Sequence, residues 1–185
     1  MNKEKRIKKY LEFMDPCADN ISVEALDKMG FFTAPASTKY HGAYEGGLFD
    51  HSLATAEALV EFTDKLGLKW DTPQSPRIVG MYHDLCKCDN YIKECDYDSY
   101  TSKGEITKYI YNPDIIIPGH GDKSVILIQE YLTLTEEEIA CIRWHMGAFE
   151  TDTKMWGYYG KAIEKYPNVL FTHTADMYAS RVIGI

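Results

Sequence analysis

The spacing of apolar residues along the chain predicts that most of it is helical. The pattern is clearest between residues 48 and 66, where apolar and small side chains recur on one face at intervals of three and four residues: Leu48, Ser52, Thr55, Leu59 and Phe62. Gly67 follows the last turn, which is typical of a helix end. The segment therefore predicts a long helix with His51 beside its apolar face.

Other segments combine helical spacing with residues that begin or end helices. Ser75-Pro76 places proline in a first helical turn, and Thr135 with Glu138 forms a capping box. Gly147 is predicted to end one helix and Pro167 to begin the last one. With the long helix, the predicted set lies at about residues 2–14, 23–29, 75–87, 122–132, 136–146 and 167–182.

A long stretch from Asp89 to Gly119 interrupts this helical pattern with polar and aromatic residues. Within it, Glu105–Tyr111 alternates in the way a strand does, which predicts a small β-hairpin at about residues 98–112. Long stretches without helical period are usually functional, so we expect a lid or a substrate loop here.

The patterns together predict an all-α helical bundle, with the hairpin as an insertion. A chain of 185 residues is long enough for one domain with its own core. We therefore expect residues 1–185 to form a single domain, in which N-terminal helices (residues 1–40) precede a larger core (residues 41–183).

Charge and targeting features narrow the class of protein. The chain has 20 Lys and Arg against 28 Asp and Glu, a net charge of −8, which disfavours a long nucleic acid as partner. No apolar run is long enough to span a membrane, and no leader peptide is recognisable. We expect a cytoplasmic protein that binds neither membranes nor long nucleic acids, and its oligomeric state is left open.

The five cysteines are best interpreted as reduced thiols in such a compartment. Cys86, Cys88 and Cys95 suggest a zinc site as an alternative. Their spacing lacks the paired Cys-x-x-Cys arrangement of common structural zinc sites, so free thiols are favoured.

The segment Tyr82-His83-Asp84-Leu85-Cys86-Lys87 contains the strongest chemical signal. Adjacent imidazole and carboxylate groups are typical ligands of divalent metals. Further candidates occur along the chain at His51, His120, His145 and Asp176. A single histidine on an apolar helix is more often an ordinary core residue, and His41 and His173 receive no ligand role for that reason.

Two carboxylates strengthen the metal interpretation. Asp84 and Asp176 both fall inside apolar helical segments, where an unpaired carboxylate would be costly. A metal ion would satisfy both, and a buried salt bridge from Arg143 or Arg181 is the alternative for Asp176. A carboxylate that bridges two ions about 3.5–4 Å apart is a known arrangement for hydrolysis.

Substrate contacts are less specific. Lys87 follows His83 by four residues, so it would project from the same helix face and pair with a substrate phosphate or donate a proton to the leaving group. A surface lysine near a helix end is the plain alternative. Tyr44 is a candidate for stacking on a base, and Lys123 and Arg143 are candidates for contacting phosphate.

These motifs resemble the HD-domain metal-dependent phosphohydrolases in the variant with the order H…HD…H…H…D. The similarity covers roughly residues 40–183 and includes four local motifs: Gly46-Gly-Leu-x-x-His51-Ser, His83-Asp-x-x-Lys87, Gly119-His120-Gly and Trp144-His145-Met-Gly. The glycine-rich segment before His51 is similar to that of HD domains in some 3′–5′ exoribonucleases.

The resemblance implies a helical bundle with two divalent metal ions, for which Mn, Fe, Co, Ni and Mg are candidates. His51, His83, Asp84 and Asp176 would hold the first ion, Asp84 would bridge, and His120 and His145 would complete the second site. It further implies a phosphohydrolase that uses a metal-activated hydroxide, with Asp84 and Lys87 in catalysis, and a small phosphorylated substrate such as a nucleotide. A di-iron oxygenase of the same superfamily and a non-catalytic nucleotide-binding protein are the alternatives.

Overall fold

The computed structural model describes residues 1–97, 105–147 and 153–185, and these residues are mostly helical. The helices are α1 (Lys3–Met14), α2 (Val23–Met29), α3 (Gly47–Leu66), α4 (Ser75–Tyr82), α5 (Lys87–Asn90), α6 (Gly121–Gln129), α7 (Glu136–Arg143), α8 (Trp156–Lys165) and α9 (Asn168–Met177). A π-helical segment, Tyr178–Ile183, continues α9, and a 3₁₀ turn, Thr153–Met155, precedes α8. The predicted fold class is confirmed.

The hairpin is also confirmed, although it begins earlier than predicted. Strand β1 (Tyr91–Tyr97) pairs antiparallel with β2 (Glu105–Tyr111), and the register places Tyr91 opposite Tyr111. The predicted limits of 98–112 missed β1, and residues 98–104 of that prediction lie outside the described residues. The polar and aromatic composition of β1 concealed a strand that is stabilised mainly by its pairing with β2.

Two predicted helices end earlier than their apolar pattern suggests. Helix α4 stops at Tyr82 rather than near residue 87, and α7 stops at Arg143 rather than near residue 146. In each case a histidine ring just beyond the helix donates from Nδ1 to a carbonyl three residues back: His83 to Gly80 at 2.8 Å and His145 to Ile142 at 2.7 Å. In a continuing helix, this carbonyl would accept a hydrogen bond from the backbone amide four residues further along the chain. Here the imidazole donates to it instead, and the helix ends.

The sequence analysis did not assign helix α8. Gly157 and Gly160 lower its helix propensity, and most of its side chains are exposed. Tyr159, Ala162 and Ile163 nevertheless pack against the core from one face. Packing therefore stabilises a helix that its own composition indicates only weakly.

Helix α3 is long and largely buried, and α4 approaches it very closely. The approach depends on Gly80, because a Cβ atom at that position would lie 2.4 Å from the Cα of Ala56 on α3. The two helices bring His51 and His83 to the same point in the interior.

The N-terminal helices pack on this core. The Tyr10 hydroxyl on α1 lies 2.6 Å from the Tyr82 hydroxyl at the end of α4. The guanidinium of Arg6, almost fully buried, pairs with Asp50 on α3 at 3.0 Å. The division into residues 1–40 and 41–183 within one domain stays a prediction.

Among the residues described, no helix has both the length and the apolar composition that crossing a membrane requires.

Candidate metal centre

His51 lies one turn inside α3, where the chain enters the helix from a glycine-rich loop. Gly46 adopts a positive φ of 79°, a conformation that favours glycine, and a Cβ atom there would collide with the Arg6 guanidinium. His51 itself is fully buried. Its Nδ1 lies 2.9 Å from the Ile185 carbonyl oxygen, so this nitrogen donates and Nε2 faces the interior.

His83 and Asp84 lie in the turn directly after α4. Because the Nδ1 of His83 donates to the Gly80 carbonyl, its Nε2 faces inward as well. In a continuing helix, Asp84 would project about a hundred degrees away from His83. Because α4 ends at Tyr82, the turn that follows directs the Asp84 carboxylate toward the Nε2 of His83.

His145 and Asp176 reach this point from the other side of the bundle. His145 follows the end of α7, is fully buried, and donates from Nδ1 to Ile142. Asp176 lies in the last turn of α9 and is mostly buried. His173, one turn earlier in α9, is hydrogen-bonded to a residue of the site: its Nδ1 donates to the His145 carbonyl at 2.7 Å.

The inward-facing atoms of these five residues converge. The Nε2 of His51 lies 3.1 Å from Asp176 Oδ1 and 3.5 Å from Asp84 Oδ2. The two oxygens of Asp84 lie 3.4 Å from the Nε2 atoms of His83 and His145, one oxygen to each ring. Side chains from four parts of the chain thus form one buried cluster, hereafter the His/Asp cluster: His51, His83, Asp84, His145 and Asp176.

The electrostatics of the His/Asp cluster fit a cation. The Nε2 atoms of His51 and His83 lie 3.3 Å apart, although both rings already use Nδ1 as a donor. Two nitrogens that bind the same tetrahedral ion, each at about 2.1 Å, lie about 3.4 Å apart. The His145 Nε2 and Asp84 Oδ1 atoms lie 3.4 Å apart and are buried without a hydrogen-bond partner among the described residues, and a metal ion would satisfy both.

The carboxylates and imidazoles of the cluster shift one another's pKa values. Burial opposes ionisation of Asp84, but Lys87 and His83 outweigh it and hold the pKa of Asp84 well below its usual value. Burial likewise opposes ionisation of Asp176, but the hydrogen bond from His51 lowers the pKa of Asp176. For His51, burial is outweighed by hydrogen bonds to Asp176 and Asp84, which raise its pKa to about 9. The cluster therefore keeps its carboxylates ionised.

Lys87 is buried beside the His/Asp cluster, and its ammonium group lies 2.5 Å from Asp84 Oδ2. Burial lowers the pKa of Lys87, but the contact with Asp84 dominates and raises it, so the side chain is a cation. The sequence analysis left a surface lysine open as the alternative, and burial excludes it.

His120 lies at the edge of the cluster, with a different partner from the other histidines. Its Nδ1 is 3.6 Å from the sulfur of Cys86, a fully buried thiol. Donor atoms of Asp84, Cys86 and His120 all lie within 4.8 Å of one another. This second group, hereafter the Cys86 triad, shares Asp84 with the His/Asp cluster.

A cavity of about 200 Å³ opens onto both groups. Asp84, Lys87, His120 and Asp176 line its floor. Its walls come from the loop before α3, the open end of the hairpin and the π-helical segment, and include His41, Tyr40, Tyr91, Tyr111 and Arg181. Burial, then the neighbouring His51 and Lys87, lower the pKa of His41 to about 4, so its ring is neutral at pH 7.

The other substrate-binding candidates lie outside the lining of this cavity. The Tyr44 hydroxyl donates to Asp50 at 3.1 Å, and the Lys123 ammonium lies 2.5 Å from Asp89. Arg143 pairs with Asp122 and stacks on the Trp144 ring. A role for Tyr44, Lys123 and Arg143 in substrate binding stays a prediction.

Several residues that face the site were not predicted to do so. His41 received no role, Arg181 was considered only as a salt-bridge partner of Asp176, and Tyr111 was not considered as a site residue. The glycine-rich loop and the position of Arg181, five residues after Asp176, were the available signals. Cys86 lies two residues after Asp84, and its contact with the predicted ligand His120 was not predicted.

Comparisons with protein-family models, with curated proteins and with solved structures found no match to this chain. The buried His/Asp cluster in a mostly helical protein is therefore the basis on which its function is inferred.

Proposed function

We propose that this protein is a metal-dependent phosphohydrolase of the HD-domain type, which cleaves a phosphate ester of a nucleotide or another small molecule. One observation supports this above all others. Buried imidazole and carboxylate donors converge on the floor of a cavity that also contains the cationic Lys87.

The donor set suits two divalent ions. His51, His83, Asp84 and Asp176 would hold the first, and His145 and His120 would hold the second with Asp84 shared between them. When bound, such ions polarise a phosphoryl oxygen and lower the pKa of water to near neutrality. The Nε2 of His145 and the Oδ1 of Asp84 are buried and have no hydrogen-bond partner among the described residues, so a bound cation would satisfy both atoms.

Lys87 and Arg181 supply positive charge for an anionic substrate. The Lys87 ammonium faces the cavity while its contact with Asp84 holds it in place, so it can donate a hydrogen bond to a phosphate oxygen. Arg181 lines the same cavity from the π-helical segment, and its planar guanidinium suits a second phosphate oxygen. The overall charge of −8 does not prevent this, because the local charges lie in a partly enclosed site.

The walls of the cavity favour an organic group with an aromatic ring. Tyr91 and Tyr111 stand opposite each other at the end of the hairpin, with ring centroids 5.3 Å apart, and Tyr40 lies in the loop before α3. Tyrosine rings stack readily on nucleobases. A cavity of about 200 Å³ holds a small molecule rather than a length of polymer.

Metal analysis with an activity screen tests the proposal. Purified protein is stripped with chelator, reloaded separately with Mn²⁺, Fe²⁺, Co²⁺, Ni²⁺ or Mg²⁺, and assayed on nucleotides and aryl phosphates. Asp84→Asn should lose bound metal and reduce turnover by about a thousandfold, since the ions supply several kcal/mol of transition-state stabilisation. Asp89→Asn, an exposed carboxylate outside the cluster, should leave both unchanged.

Three results would contradict the proposal. Unchanged metal content and turnover in Asp84→Asn would exclude the His/Asp cluster as the site of chemistry. Bound iron with oxygen uptake and no hydrolysis would identify the di-iron oxygenase instead. Nucleotide binding without turnover by any metal-loaded form would identify a non-catalytic binding protein.

A further inference from the structure

Cys86 is a buried thiol that the proposed two-metal site does not use. It lies in the turn between α4 and α5, two residues after Asp84, with no exposed surface. Its amide donates to the Ser124 hydroxyl at 3.1 Å, which fixes the backbone against α6. The sulfur is thereby held next to the His120 ring.

The imidazole partners distinguish His120 from the other histidines of the site. His51, His83 and His145 each direct Nδ1 to a backbone carbonyl at 2.7–2.9 Å, which leaves Nε2 for the centre. His120 instead directs Nδ1 to the Cys86 sulfur at 3.6 Å. A sulfur and a nitrogen that both bind one tetrahedral ion, at about 2.3 and 2.1 Å, are about 3.6 Å apart.

Asp84 completes this arrangement. Its carboxylate offers an oxygen within 4.8 Å of both the Cys86 sulfur and a His120 nitrogen. An ion among the three would be bound by one sulfur, one nitrogen and one oxygen, and each oxygen of Asp84 also lies 3.4 Å from an imidazole of the His/Asp cluster.

We propose that Cys86 is a thiolate ligand of the second metal ion, together with Asp84 and His120. The inference rests on the metal centre of the proposed function and specifies one of its ligands. On binding, the thiol releases its proton to solvent and the sulfur donates an electron pair to the ion, so no oxidant or reductant is needed. The neighbouring carboxylate and the thiolate together balance a divalent charge.

A sulfur ligand determines which metals the second site accepts. Thiolates favour softer ions such as Zn²⁺, Fe²⁺ and Co²⁺, whereas Mg²⁺ and Mn²⁺ prefer oxygen ligands. The first site, with imidazole and carboxylate ligands from His51, His83, Asp84 and Asp176 and no sulfur, is more permissive. We therefore expect protein saturated with Mn²⁺ to bind one ion and protein saturated with Co²⁺ to bind two.

Cobalt titration of the metal-stripped protein tests this ligand directly. Wild type should bind two Co²⁺ and develop the near-ultraviolet charge-transfer absorption of a thiolate–cobalt bond. Cys86→Ser should lose that absorption and bind one Co²⁺. Cys141→Ser is the matched control, because Cys141 is equally buried but lies on α7 outside the triad, and it should behave as wild type.

X-ray absorption of the Co²⁺-loaded wild type tests the ligand without any substitution. It should detect a sulfur neighbour of cobalt at about 2.3 Å. Two bound ions with no sulfur neighbour and no charge-transfer band would overturn the ligand role. Cys86 would then only share a hydrogen bond with His120, and the phosphohydrolase proposal would stand. Binding of no Co²⁺ at all would instead overturn the metal centre itself.

Discussion

At the scale of single residues, the direction of three imidazole rings is the decisive feature. Each ring of His51, His83 and His145 uses Nδ1 as a donor to a main-chain oxygen, so its Nε2 is left as an acceptor in a fully buried position. Such outer hydrogen bonds fix the tautomer that metals bind. Without a cation, acceptors that face each other repel, and a proton has to take its place.

The pH dependence of the metal-free protein should reveal that proton. Contacts with Asp176 and Asp84 outweigh burial and raise the pKa of His51 from 6.5 to about 9. The folded protein therefore binds more protons than the unfolded chain between these values, and its free energy of unfolding should fall by on the order of 3 kcal/mol as pH rises from about 6.5 to 9. Urea unfolding in the presence of chelator measures this dependence.

A variant of His51 and the pH range below 6.5 provide the controls for this prediction. His51→Gln should make the curve shallower between pH 6.5 and 9, because the group whose pKa is about 9 is gone. A smaller slope should remain, since contacts with Asp84 outweigh burial and raise the pKa of His145 as well. Below pH 6.5 the trend should reverse, because burial lowers the pKa of His41 in the folded protein to about 4. The unfolded chain then takes up a proton at His41 that the folded protein does not bind, so stability should fall as pH falls. Constant stability of wild type from pH 6.5 to 9 would show that His51 is not protonated in the cluster.

At the scale of elements, the contact between α3 and α4 sets the spacing of the His51 and His83 rings. The helices approach closely because residue 80 has no side chain, and Gly80 lies against the backbone of Ala56. The same contact places the Nε2 atoms of His51 and His83 3.3 Å apart. Helix packing thus determines a distance on which metal binding depends.

Gly80→Ala should therefore weaken both folding and metal binding. The added Cβ would lie 2.4 Å from the Cα of Ala56, so the helices must separate, and overpacking of this kind typically costs about 1–3 kcal/mol. Metal affinity should fall as the two rings move apart. Thermal unfolding and metal titration measure the two effects.

Gly157→Ala on α8 provides the matched control. A Cβ atom at this position would have no heavy atom of the described residues within 4 Å, apart from its own helix backbone and chain neighbours. Alanine is the better helix former by about 0.5–1 kcal/mol, so this variant should be as stable as wild type or slightly more stable. Equal effects of the two substitutions would mean that the close contact of α3 and α4 does not limit stability.

At the scale of the whole molecule, the proposed metal centre joins distant parts of the chain. Its donors come from α3, the turn after α4, the end of α7 and α9, and the apolar core around them runs from α1 to α9. Unfolding any of these elements would separate the donors. Ions should therefore bind the folded chain far better than the unfolded one.

Metal binding should stabilise the molecule as one unit. At a free ion concentration a hundred times the Kd, the free energy of unfolding should rise by about 2.7 kcal/mol per ion. Urea unfolding followed by circular dichroism and by tryptophan fluorescence should shift to higher urea in a single shared transition. Asp84→Asn should show no shift on addition of metal, and two separate wild-type transitions would contradict a jointly held centre.

Local patterns in the sequence predicted most of the helices and the residues that form the His/Asp cluster. The apolar period located α1, α2, α3, α6 and α9 closely, and the capping box of Thr135 and Glu138 located the start of α7. These features depend on neighbours within a few residues, so one chain read by itself reveals them. Adjacent His83 and Asp84 in an apolar segment indicated a metal in the same way.

The tertiary structure alone decided how these parts meet. It ended α4 and α7 at their histidine rings, placed Cys86 against His120, and paired Lys123 and Arg143 with carboxylates outside the cavity. Such contacts join residues far apart in the chain, and their distances depend on how closely helices pack. The apolar period of a helix predicts which of its faces is buried, but it does not predict which side chains from other elements contact that face.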